Sequence, residues 1–76
     1  MDKRGPLNVT LGANLRAIRQ SRGLSQQDFA HHLGYDRTYV ASVERGQRNL
    51  TLDTVSDLAD RLGLDALDLL QEPQSA

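Results

Sequence analysis

Residues 23–46 decide the fold: Gly23-Leu24-Ser25-Gln26-Gln27-Asp28-Phe29-Ala30-His31-His32-Leu33-Gly34, then Tyr35-Asp36-Arg37-Thr38-Tyr39-Val40-Ala41-Ser42-Val43-Glu44-Arg45-Gly46. Ser25 is a good helix N-cap, because its hydroxyl oxygen accepts from an amide that the first turn leaves unpaired. Asp28 stands three residues on, in a capping-box-like arrangement. Phe29, Ala30 and Leu33 form the inner face, and Gly34 ends the helix at a position that calls for a positive φ. The next helix starts at once, capped by Asp36, with Tyr35 placed to staple onto Val40. Val40 and Val43 face inward, Arg37, Thr38, Ser42 and Arg45 face away from them, and Gly46 is the stop. Two short helices thus meet across Gly34-Tyr35-Asp36. That link is too tight for antiparallel packing through a relaxed loop and suits an angled pair.

The flanking segments also read as helix. Leu11, Leu15 and Ile18 recur at helical spacing, with Thr10 as a candidate N-cap and Gly23 closing the segment. Thr51 caps a fourth helix with the stripe Leu52, Val55, Leu58, Ala59 and Leu62, and Gly63 follows. A short fifth helix runs from Asp65 to about Gln71, carrying Leu67, Leu69 and Leu70, with Pro73 beyond. No stretch alternates like a strand and nothing repeats. The expected fold is all-α, five short helices around one core. The domain spans 10–71, between a flexible N-terminal tail over 1–9, which contains Gly5-Pro6, and a C-terminal tail over 72–76.

A chain of 76 residues supports one core, and a marginal one, so a stabilising partner is plausible. Aromatics are confined to Phe29, Tyr35 and Tyr39, leaving Leu, Val, Ile and Ala to fill the interior. The absence of cysteine excludes a disulfide framework and thiolate metal sites. No apolar run reaches the ~18 residues of a membrane span, and no signal-like apolar segment opens the chain. A soluble, cytoplasmic protein is expected. His31 and His32 point about 100° apart on a helix and do not readily share a metal. No phosphate-cradling glycine loop, nucleophile elbow or paired buried carboxylates is present. These absences argue against an enzyme, a metal, a cofactor or a small-molecule substrate.

The net charge of −1 conceals an asymmetry. Residues 1–48 carry Lys3, Arg4, Arg16, Arg19, Arg22, Arg37, Arg45 and Arg48 against Asp2, Asp28, Asp36 and Glu44, a balance of +4. Residues 49–76 carry Arg61 against Asp53, Asp57, Asp60, Asp65, Asp68 and Glu72, a balance of −5. One half suits phosphate and the other suits water or a partner, although short chains also reach such asymmetry by chance. Lys3 and Arg4 fit a minor-groove arm or a solubilising tail.

The ordered run Gly23-Leu24-Ser25-Gln26-Gln27-Asp28-Phe29-Ala30, Leu33-Gly34-Tyr35 and Val40-Ala41-Ser42-Val43-Glu44-Arg45-Gly46 resembles the lambda repressor/Cro-like, or XRE, helix-turn-helix family. The likeness covers roughly residues 10–70. Within the family, Asp36-Arg37-Thr38-Tyr39 and Glu44-Arg45-Gly46-Gln47-Arg48-Asn49 most resemble restriction–modification controller proteins. The resemblance implies a lambda repressor-like DNA-binding domain whose second and third helices form the motif. It places Arg37 and Thr38 at the end of the recognition helix that reaches base edges. Ser42, one turn on, and Arg48 are further base candidates, and Ser25, Gln26, Tyr39, Arg45 and Asn49 are sugar-phosphate candidates.

Each assignment has a plainer competitor. Arg37 also suits a solvated pair with Asp36, Arg48 a solvated loop, Tyr39 a half-buried structural ring, and Ser25 an N-cap alone. The family pattern places Arg19 and Glu44 as an ion pair linking helix one to helix three. Double-stranded DNA is the expected partner. The protein is expected to be a homodimer on a palindrome, joined through Leu64, Leu67, Leu69 and Leu70, unless those leucines only close the monomer core. An antitoxin-type DNA-binding partner of a toxin, or an interaction module retaining the fold, are the alternatives.

Overall fold

Ser25 and Asp36 both cap their helices. Ser25 Oγ accepts from the Asp28 amide at 3.0 Å, and Asp36 Oδ2 accepts from the Thr38 amide at 3.2 Å. Between them Gly34 turns the chain at φ 76°, and the Tyr35 amide donates to the Ala30 carbonyl at 3.0 Å. That bond closes a Schellman turn, which a residue with a Cβ would resist. The computed structural model describes residues 7–72, with five helices: α1 (Leu7–Ser21), α2 (Gln26–Leu33), α3 (Arg37–Glu44), α4 (Leu52–Leu62) and α5 (Ala66–Leu70). Among the described residues the fold is therefore all-α with five helices, as the periodicity implies. Lys3, Arg4, Gly5-Pro6 and Pro73 lie outside the described residues.

The start of α1 differs from expectation. Thr10 sits inside the helix and does not cap it, and Leu7, Asn8 and Val9, assigned to the tail, are helical. Tertiary anchors explain the extra turn. The Asn8 side-chain amide donates to the Gly46 carbonyl beyond α3, and a Cβ added at Gly46 would lie 3.0 Å from Val9 Cγ2. Packing of this kind sustains a helix end.

The core centres on Phe29, Leu11, Leu15, Leu33, Leu58 and Leu69, all fully buried. Val40, Val43, Val55, Ala30, Ala59 and Leu62 complete it. Each large side chain removed from water contributes about 1.5–3 kcal/mol. α1 meets α3 at Gly12. A Cβ there would come within 2.8 Å of the Glu44 carbonyl oxygen, and closer still to that of Val43. Backbone cannot yield as a flexible side chain does, so the crossing requires glycine.

Two leucines depart from their expected places. Leu52, expected to open the α4 stripe, is 77% exposed, whereas Val55, Leu58, Ala59 and Leu62 are buried. It stands on the first turn of α4, at the rim of an apolar hollow of about 280 Å³ lined also by Leu7, Leu11, Leu50, Val55 and Leu70. Leu69, expected on a dimer surface, is completely buried in the monomer and takes no part in such a surface. α5 turns it inward between α1 and α4, while Leu67 on the opposite side is 69% exposed. Leu64 and Leu70 are half-buried against the core.

α5 has only five residues and is held from outside. Asn14, buried in α1, donates from Nδ2 to the Leu69 and Gln71 carbonyls at 2.7 Å each. Helix ends leave carbonyls unpaired, and a buried amide supplies what water would otherwise give. At the other end Asp65 and Asp68 form a capping box.

Candidate nucleic-acid interface

α3 is fixed on one side and open on the other. Val40, Ala41 and Val43 are buried, while Arg37 and Thr38 are exposed on its first turn. Among the described residues neither of those two side chains has a hydrogen-bond or ion-pair partner, and Arg37 does not pair with Asp36. Arg45, Arg48 and Asn49 are also exposed, and Tyr39 and Ser42 are half-buried. Contacts join Tyr39, Ser42 and Arg48 across α3 and the loop after it, whereas Arg37 borders a hollow shared with Gln27, Asp28 and His31 of α2.

Behind this face lies the expected ion pair. Arg19 Nε donates to Glu44 Oε2 at 2.8 Å, its second nitrogen to Oε1 at 3.2 Å, and its third to the Leu24 carbonyl at 3.0 Å. The side chains are 14% and 3% exposed. A bidentate guanidinium–carboxylate pair of this kind fixes orientation as well as distance. One residue joins it that the sequence placed elsewhere. Gln26, read as a phosphate contact, donates its side-chain amide to Glu44 Oε1 at 3.1 Å. Its carboxamide is thus part of a brace across α1, α2 and α3.

A second tie locks the turn between α2 and α3 to α4. The Tyr35 hydroxyl donates to Asp57 Oδ2 at 2.7 Å, and Arg61 Nε donates to the same oxygen at 2.9 Å. The hydrogen bond to Asp57 raises the Tyr35 pKa above its ordinary 10.0, with burial acting in the same direction. The Asp57 carboxyl is held below its ordinary 3.8, first by Tyr35 and then by Arg61. Nothing in local sequence marks this partnership, since the residues are 22 apart.

The remaining candidates differ in how committed they are. Ser25 Oγ caps α2 and remains exposed. Arg45 Nε donates to Gln47 Oε1 at 3.0 Å. Ser42, expected to point toward bases, donates its hydroxyl proton to the Tyr39 carbonyl at 2.9 Å and accepts from Arg48 Nε at 3.1 Å. A hydroxyl has one proton, so Ser42 has none left to give. The Arg48 guanidinium lies 4.9 Å from the Tyr39 ring centroid, and that ring stacks on Tyr35 with centroids 5.3 Å apart.

A braced scaffold that presents one helix outward, with arginines along its free side, defines a DNA-binding domain of the helix-turn-helix type. The helix-turn-helix family model matches residues 15–69, and the chain belongs to this family, in its XRE branch, as a DNA-binding transcriptional regulator. It is 41% identical over 68 residues to a hypothetical transcription factor of Neisseria meningitidis, covering 90% of this chain but 64% of that protein. The solved structure of the Neisseria protein aligns with a TM-score of 0.81. The restriction-modification controller C.AhdI of Aeromonas hydrophila is 44% identical, over 82% of this chain and 94% of its own, with a TM-score of 0.71. The controller C.Esp1396I, solved as a tetramer on its natural 35 base-pair operator, is 27% identical over 87% of each chain with a TM-score of 0.72. Among the described residues no helix is long and apolar enough to cross a membrane.

Proposed function

We propose that the chain acts as a homodimer on a palindromic operator in double-stranded DNA, as a controller of the restriction–modification type. One observation carries the reading: the first turn of α3 presents Arg37 and Thr38 outward and unpartnered from a helix whose other face is locked into the core. Arg37 donates two hydrogen bonds to guanine N7 and O6, and Thr38 offers its methyl to thymine or its hydroxyl to a base edge. Arg48 supplies a third base contact from the loop beyond α3. Ser25, Arg45, Asn49 and the Tyr39 hydroxyl hold phosphates, and Gln26 contributes through its main-chain amide at the N-terminal end of α2.

One recognition helix reads too few base pairs, so two copies spaced roughly 34 Å apart on the duplex are required. Leu67, exposed on α5, and Leu52, exposed on α4, supply the apolar surface for the second copy, with Leu64 and Leu70 at its edge. An apolar patch of this kind is a usual mark of association. The acidic α4–α5 half turns away from phosphate. The regulator works in the cytoplasm, on the nucleoid, and performs no reaction of its own. The likeness to C.AhdI over nearly its whole length supports the controller subtype over an antitoxin, and purification from the native source without a toxin partner tests that choice. A gel-shift assay on random duplexes at moderate salt tests the DNA reading. The expected result is a discrete, competed complex on a subset of sequences, and uniform salt-sensitive binding refutes it.

A further inference from the structure

Arg48 lies outside the recognition helix, four residues beyond its end, yet it is not loose. Its Nε donates to Ser42 Oγ at 3.1 Å, and its guanidinium carbon sits 4.9 Å from the Tyr39 ring centroid. The Ser42 hydroxyl is aimed at the same place by its own bond to the Tyr39 carbonyl at 2.9 Å. Tyr39 is backed in turn by Tyr35, stacked with an interplanar angle of 16°, and the Tyr35 hydroxyl is tied to Asp57 on α4. A continuous ladder therefore runs from α4 through two rings to a guanidinium. Arginine has five N–H donors. The one on Nε is used, and among the described residues the terminal nitrogens have no partner, which leaves the forked end open.

We propose that the Tyr39 ring and the Ser42 hydroxyl form a seat that prepositions Arg48 as a base-reading side chain, so that both residues set specificity through Arg48 and not by touching bases themselves. This inference rests on the DNA-binding reading above and goes further, because it makes Ser42 a positioning residue instead of a base contact and gives the Tyr39 ring that role beside the phosphate contact of its hydroxyl. The physical ground is the freedom a long side chain loses on binding. A guanidinium already stacked on a ring and held at Nε loses less of it, and its planar fork keeps one orientation. A lysine at position 48 would have no fork to aim.

Dissociation constants on the operator selected by the wild-type chain, and on single base-pair variants of it, test the proposal at one fixed salt concentration. Arg48→Ala is expected to lose about tenfold discrimination at one base pair per half-site. Tyr39→Leu is expected to lose discrimination at that same base pair, and the double variant to be no worse than Arg48→Ala alone. Tyr39→Phe keeps the ring and therefore keeps the discrimination, whatever loss of a phosphate contact does to overall affinity. Ser42→Ala, which leaves the ring in place, gives a smaller loss at the same base pair and serves if Tyr39→Leu fails to fold. Unchanged discrimination in Tyr39→Leu and Ser42→Ala, or losses that multiply in the double variant, overturn the proposal while leaving the DNA reading intact. Absence of any selected site refutes both. In the free protein, ring-current displacement of the Arg48 δ-methylene protons is expected in wild type and Tyr39→Phe and not in Tyr39→Leu. Random-coil shifts for those protons in wild type overturn the seat without reference to DNA.

Discussion

At the scale of single residues, Gly12 and Arg37 make opposite predictions. Gly12→Ala places a Cβ against the Val43 and Glu44 carbonyl oxygens, and overpacking against backbone costs about 2 kcal/mol. Urea denaturation checks it through a lowered midpoint at unchanged slope. Arg37→Ala is expected to leave that midpoint unchanged, because the side chain is exposed and without partners. It lowers preference for the cognate operator by roughly 1–3 kcal/mol, read by competition with an operator altered at one base pair. The contrast between the two marks what was legible. The exposed first-turn position of Arg37 is readable from its place one residue after a cap, a local signal, while its role at a base edge comes from the family resemblance. Gly12 carries none, since what makes glycine necessary there is α3 lying opposite, 31 or more residues away in the chain. Asn14 was hidden for the same reason: its acceptors are carbonyls at Leu69 and Gln71, and any polar residue on a helix face looks alike until its neighbour is known.

Among elements, the caps and stops were readable because they are short-range chemistry. Ser25, Asp36 and Thr51 each accept from an amide two or three residues on, and Gly34 and Gly63 take positive φ. The sidedness of α5 was not readable, because three leucines in five residues cover every direction of so short a helix. Only the positions of α1 and α4 turn Leu69 in and Leu67 out. The orientation of α3 depends on two ties, each with a test. Arg19→Ala strands the Glu44 carboxylate, whose side chain is 3% exposed, and is expected to cost about 3 kcal/mol by thermal melting. Replacing both residues with apolar ones of similar size costs less, since no charge is then left buried.

The second tie predicts a pH response. Asp57 is held below its ordinary carboxylate pKa, so the folded state favours its ionised form. The stabilisation is present above the unfolded-state value and is lost as pH falls through the lowered one. Tyr35 has the opposite sign: its raised pKa favours the protonated phenol, and that contribution is lost as pH rises past the ordinary tyrosine value. Asp57→Asn is expected to flatten the part of the acid limb that this tie contributes, measured as melting temperature against pH. An unaltered acid limb in the variant contradicts the assignment.

For the whole molecule, the charge halves and the leucines describe one arrangement. Among the described residues the basic ones of the first half lie on α1 and just after it, at the start of α3 and in the loop beyond it. The acidic ones of the second half lie on and beside α4 and α5, and exposed Leu52 and Leu67 belong to the acidic half. The proposed dimerisation through that half would leave both recognition helices free. Leu67→Lys puts a charge on the proposed contact without disturbing the core, so sedimentation should show a monomer with unchanged helicity and much weakened operator binding. The measurement closest to the central claim is selection of bound duplexes from a random pool, run in parallel for wild type and for Arg37→Ala with Thr38→Ala. Wild type is expected to enrich a two-fold symmetric site with half-sites about one helical turn apart, and the double variant to lose that preference while remaining folded. Enrichment of the same site by both proteins, or of no site by wild type, would contradict the assignment of α3 as the reading helix.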